Sequence, residues 1–194
     1  MRRAGSWTLS EASRVLGAPQ HRLIHLCEKG VVRPAVQEAR GRGSSRRFSR
    51  RNMLEFSVAL KLRELMLPVS VAAAVVHVLE ATEKAIAREL PGFVLPESLI
   101  GDSAPELRVV INDGQRLFFV LHTKGSASKM VGGIHLKSVR GSEADGRRVR
   151  RAVSIKGSPI PEASLTPTAD RERGRIEVSV TGLARDLSRA LNDR

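Results

Sequence analysis

Six of the twelve residues in RGRGSSRRFSRR, Arg40 to Arg51, are arginine, and none is acidic. A guanidinium offers a planar fork of N–H donors that matches phosphate oxygens, so Arg40, Arg42, Arg46, Arg47, Arg50 and Arg51 are candidate phosphate contacts. Four to six such contacts would make log K fall with log salt at a slope of about −4 to −5. Gly41 and Gly43 would let the backbone approach a duplex closely. A second group lies just upstream, in PQHRLIHLCEKG. On a helical wheel Leu23, Ile24, Leu26 and Cys27 share one arc. The other arc carries His21, Arg22, His25, Glu28 and Lys29, with Gln20 at the helix start, a mostly basic, hydrogen-bonding front. Glutamine can read adenine and arginine can read guanine in a major groove.

The other reactive residues carry less. His21 and His25 are one turn apart, but two imidazoles without a third ligand do not make a metal site, and no metal is expected. Cys27 falls on the apolar arc and reads as a small core residue. His122 and His135 lie on separate expected strands. RRVRR at 147–151 reads as an edge strand blunted by charge. INDGQ and MVGGI are turn signals, and no nucleophile–base pair or phosphate loop is present. No catalytic residue is assigned, an enzyme is not expected, and no cofactor is implied.

The chain has 194 residues and a net charge of +13. Residues 1–68 contribute +9 and the remainder +4, so the partner-binding end is N-terminal. That sign favours nucleic acid over other acidic partners. With 41% apolar residues but only 3% aromatics, the core must be aliphatic. One cysteine excludes an intrachain disulfide framework. No apolar run approaches a membrane span, and MRRAGSWTLSEASRVL lacks the apolar stretch of a signal peptide. A cytoplasmic protein with no membrane partner is expected.

These groups need elements to hold them. Ser10 is placed to cap a first helix that ends at Gly17. Pro19 and Gly30 bracket a second. Ser49 is placed to cap a third, rich in Leu, running toward Leu67-Pro68. The arginine run therefore sits between ordered elements, as a loop or short two-stranded wing. Ser70 is placed to cap a fourth helix, whose apolar surface narrows to Leu79, Thr82, Ile86 and Leu90, the expected dimerisation seam. Beyond residue 91 the texture is β-rich. Asn112-Asp113-Gly114 marks a hairpin, GIHLKSV and RRVRRAVSIKG alternate, GSPIPEASLTPTADRERG reads as a loop, RIEVSV alternates, and a closing helix runs through Leu183, Leu187 and Leu191.

From WTLSEASRVLGAPQHRLIHLCEKGVVRP through RRFS to NMLEFSVALKLRELMLPVS, over roughly residues 7–78, the chain resembles the MerR family of bacterial transcription regulators. The resemblance implies a winged helix-turn-helix that binds double-stranded DNA as a homodimer, and RNA polymerase as a further partner. The family's metal sensors carry cysteines near the end of the dimer helix. This chain has none there, so a thiolate metal sensor is not expected.

The expected fold class is α+β: a winged helix-turn-helix over 1–69, a connecting helix over 70–91, and a β-rich C-terminal part over 92–194 that could take a small-molecule effector. The expected function is sequence-specific transcriptional regulation. The alternatives are a DNA-architectural or recombination accessory factor using the same domain, and an interaction module whose C-terminal half recruits a protein.

Overall fold

The computed structural model describes residues 5–36, 46–113, 116–125, 129–135, 158–159 and 174–193. It mixes helix and sheet, in agreement with the α+β expectation. Strand β1 (Ser6–Thr8) leads into α1 (Leu9–Leu16) and α2 (Gln20–Glu28). Strand β2 (Arg47–Ser49) follows, then α3 (Arg50–Glu64) and α4 (Val69–Glu89). A 3-10 turn at Glu97–Leu99 precedes β3 (Glu106–Asn112), β4 (Arg116–His122) and β5 (Lys129–His135). Strands β6 (Ser158–Pro159) and β7 (Arg175–Ser179) come next, and α5 (Val180–Asn192) closes the chain.

Helix boundaries follow capping chemistry, with two corrections. The cap of α1 is Thr8, not Ser10. The Thr8 hydroxyl accepts from the Glu11 N–H at 3.3 Å, and the Glu11 carboxylate accepts from the Thr8 N–H at 2.8 Å. That reciprocal pair satisfies two orphan donors at once, which Ser10 cannot do with Ser13 three residues on. The Thr8 N–H bond holds the Glu11 carboxyl below its usual range. Nor does Ser70 cap α4. The helix begins at Val69 behind Pro68, whose fixed φ starts it without a side-chain cap. Ser49 does cap α3, and Gly17 ends α1 at φ 60°, in the left-handed region that glycine enters freely.

Beta strands β1 and β2 form a small antiparallel pair, with Trp7 opposite Phe48. Buried Phe48 meets Phe56 of α3 edge-on at 5.1 Å between centroids, which locks the pair to the helices. The larger sheet is antiparallel, in the order β6-β5-β4-β3-β7. The expected hairpin joins β3 and β4. Leu107, Val109 and Ile111 pair with Leu121, Phe119 and Leu117, and all six face the core, as a period of two requires. Glu106 pairs with His122, and Arg116 with His135, so these two histidines sit at opposite ends of β4. The expected strand at 147–151 and most of the loop at 157–174 lie outside the described residues.

One apolar cluster runs from Ala12, Leu23 and Leu26 through Phe56, Val75 and Ile86 to Phe119 and Leu187. Helix α4 packs on α3, β4 and β5, while α5 packs on α1, α3, β3 and the 3-10 turn. The seam expected for dimerisation is therefore corrected. Leu79, Thr82 and Ile86 are buried inside this chain, and of the four residues only Leu90 is exposed. A narrow apolar stripe shows that a helix needs a partner; here the chain's own sheet is that partner.

Asn52, buried at the start of α3, ties the segment after α2 to the third helix. Its Oδ1 accepts from the N–H groups of Ala35 (2.8 Å) and Ser49 (3.2 Å). Its Nδ2 donates to the Arg33 carbonyl (2.9 Å) and to the Glu55 carboxylate (2.8 Å). Only an amide can both donate and accept in this way. Asn52→Ala should lower unfolding free energy by about 2–4 kcal/mol, because several buried groups lose partners together. Urea denaturation followed by far-UV circular dichroism would measure it, and a loss below about 1 kcal/mol would contradict the role.

Candidate nucleic-acid interface

The apolar arc of α2 fixes how its other face is presented. Leu23 and Leu26 are buried, whereas Gln20, His21, Arg22, His25 and Lys29 are all exposed along the opposite side. The C-terminal end of α2 is held from behind, where His77 Nε2 of α4 lies 3.2 Å from the Gly30 carbonyl oxygen. The turn between α1 and α2 is closed by the Ser13 hydroxyl, which donates to the Ala18 carbonyl at 2.6 Å. The result is a short ridge of polar and cationic groups on a buried mount.

Cys27 is packed rather than reactive. Burial pushes its thiol up to about 11, against the opposing charge of Arg46 and with a small added contribution from Glu28. Only about 0.1% of such a thiol is ionised at pH 8, against roughly a quarter for a free one. Alkylation by iodoacetamide at pH 8 should thus be about 100-fold slower in the native protein than in the urea-unfolded chain. Equal rates would show that the thiol is open to solvent.

The arginine run divides. Arg40 and Arg42 lie outside the described residues. Arg46 is half-buried beside α2. Arg47 is held on β1, its Nε donating to the Ser6 hydroxyl (3.0 Å) and its Nη2 to the Ser6 carbonyl (3.2 Å). Arg50 and Arg51 are corrected from phosphate contacts to internal ties. The Arg50 Nη2 donates to the Ser188 hydroxyl of α5 at 3.2 Å, and its Nε lies 3.9 Å from Glu97. Arg51 bonds Glu55 at 3.1 Å and pairs with Glu83 of α4. Both follow the Ser49 cap, so the first turn of α3 aims them into the molecule. Charge density alone carried no such direction.

The structure also brings together residues that the sequence left apart. A cleft of about 560 Å³ opens between α2 and the end of α3, with His21, Arg22 and His25 on one side and Leu60, Arg63 and Met66 on the other. Met66 is 86% exposed at φ 60°, in the turn that links α3 to α4. Arg63 donates to the Leu67 carbonyl, which steadies its guanidinium at the rim. Leu65-Met66-Leu67-Pro68 was readable as a break in the third helix; that the break lies against α2 was not.

Among the described residues, no group of three or more His, Cys, Asp or Glu side chains is placed to hold a metal ion. None of the described helices is long and apolar enough to cross a membrane. No protein-family model matches the chain, and none of the curated proteins is significantly similar to it.

Proposed function

We propose that this chain is a sequence-specific DNA-binding regulator of transcription, acting as a homodimer in the cytoplasm, with residues 1–69 serving as a MerR-like winged helix-turn-helix. The observation that carries the reading is the ridge on α2. Gln20, His21, Arg22 and His25 face outward from a nine-residue helix, with Glu28 and the C-cap Lys29 exposed at its end and Leu23 and Leu26 buried behind. A helix of that kind, following another across the short turn at Gly17–Pro19, has the form that enters a major groove. Arg46 lies beside α2 just ahead of β2, and Arg47 opens β2, in a chain half with strong positive charge.

The N-terminal part of α2, with Gln20, His21 and Arg22, reads base edges. His25, Lys29 and the arginines from Arg40 to Arg47 supply phosphate contacts. A symmetric dimer then presents two such ridges to a pseudo-palindromic site. Leu90 and Val94, both exposed where α4 ends, offer apolar surface for the second copy. RNA polymerase is the further partner that the family resemblance implies. No catalytic role and no resident cofactor enter this reading.

Retention of genomic DNA fragments by the purified full-length protein at about 100 mM salt tests it. Selective enrichment of a few fragments over bulk competitor duplex is expected. Binding that is equal for all fragments would remove the sequence-specific part, and no binding would remove the whole reading.

A further inference from the structure

The cleft beside α2 has the make-up of a small-ligand site. Its volume of about 560 Å³ lies within the range of small-molecule pockets. Its lining is apolar at Leu26, Leu60 and Met66, and its cations are Arg22 and Arg63, with His21 and His25 adding hydrogen-bonding imidazoles. Among the described residues, the one carboxylate on its lining, Glu64, is engaged by Lys61 at 3.2 Å. The field in the cleft is therefore positive, and apolar side chains share its lining. Met66, in the left-handed region and largely exposed, adds apolar surface on the solvent side.

We infer that this cleft binds a small amphipathic anion, one carboxylate- or sulfonate-type group on an apolar body. The acid group meets the guanidinium of Arg22 or Arg63, and the body lies on Leu26, Leu60 and Met66. Binding is a property of the cleft alone. Its consequence rests on the DNA reading above: His21, Arg22 and His25 belong to both surfaces, so ligand and duplex compete. By linkage, each then lowers the other's affinity by the same factor.

The test uses full-length protein and the fluorescent anion 8-anilinonaphthalene-1-sulfonate as probe. One-to-one saturable enhancement is expected, weakened about tenfold or more by Arg63→Ala with Met66→Ser, both changes at exposed positions. A Leu90→Ser, Val94→Ser variant, altering an exposed apolar surface away from the cleft, should bind the probe like the parent. Imidazole proton resonances of His21 and His25, assigned with His→Gln variants, should shift on titration. Unchanged binding in the Arg63/Met66 variant, loss of binding in the Leu90/Val94 variant, or unmoved histidine resonances would each overturn the site. Duplex affinity that stays constant at saturating probe would overturn the competition. Probe binding by a protein that retains no duplex would uphold the cleft and sink the DNA reading, so the two fail separately.

Discussion

A chain ending at Ser179 is expected to lose cooperative unfolding in its N-terminal half as well as in its sheet. Helix α5 sits at the junction of both. Ala184 and Leu187 are buried in the common core, with Leu183 and Leu191 packed against it. The helix touches α1, α3, β3 and the 3-10 turn. Its Thr181 hydroxyl accepts from the Leu107 N–H at 2.8 Å and donates to the Pro105 carbonyl at 3.1 Å, closing the start of β3. Its Ser188 hydroxyl holds Arg50. Removing the helix would expose several core side chains together, each worth about 1.5–3 kcal/mol of burial. That sum rivals the entire stability of an ordinary domain. A milder change, Leu187→Ala, should cost about 2–4 kcal/mol. Thermal unfolding by circular dichroism distinguishes the outcomes. A truncated chain that melts within a few degrees of the parent would show that the N-terminal helices do not depend on α5.

The second large effect separates two kinds of arginine. Arg22→Glu with Lys29→Glu should abolish duplex binding and leave the melting temperature nearly unchanged, since both residues are exposed. Arg51→Ala should do the reverse. It removes the cation beside Glu55 and Glu83, whose side chains are 12% and 14% exposed. The loss should reach about 2–4 kcal/mol, near the lower end for breaking a buried pair because Arg51 itself is partly solvated. Glu83 also accepts from the Leu95 N–H at 2.7 Å, so the chain path leaving α4 loosens with it.

The pH dependence has a definite sign. Burial already raises the Glu55 carboxyl above its usual range, with Asn52 and Arg51 opposing that shift. Without Arg51 the rise is larger. A carboxyl that binds its proton more tightly when folded stabilises the fold at acid pH, and that stability is lost as pH rises through the raised value. The Arg51→Ala penalty should accordingly be smaller at pH 5 than at pH 8. Urea melts at the two values measure it. A penalty that grows on acidification would contradict the assignment, and a changed salt slope of duplex binding would return Arg51 to the interface.

Periodicity and caps carried much of the architecture. Leu23 and Leu26 against Gln20, His21, Arg22 and His25 set which side of α2 faces inward, because a helix surface repeats every 3.6 residues. Gly17, Ser49 and Asn112-Asp113 placed turns and starts by backbone chemistry that is local. The same locality explains the errors at α1 and α4. Thr8 wins over Ser10 because its partner three residues on is Glu11, and Pro68 starts α4 without help from Ser70.

What the linear order could not supply was the destination of each face. Arg50 and Arg51 belong to the same basic run as Arg46 and Arg47, yet two turn inward to Glu97, Ser188, Glu55 and Glu83. Their partners lie up to 138 residues away in the chain. Leu79, Thr82 and Ile86 have the spacing of a seam, and spacing is the same whether the covering surface is a sheet of the same chain or a second copy. The sequence by itself determined the elements and the charge that they carry. Tertiary packing decided which charges remain outside, since an ion pair depends on distance in space and local propensity has no access to it.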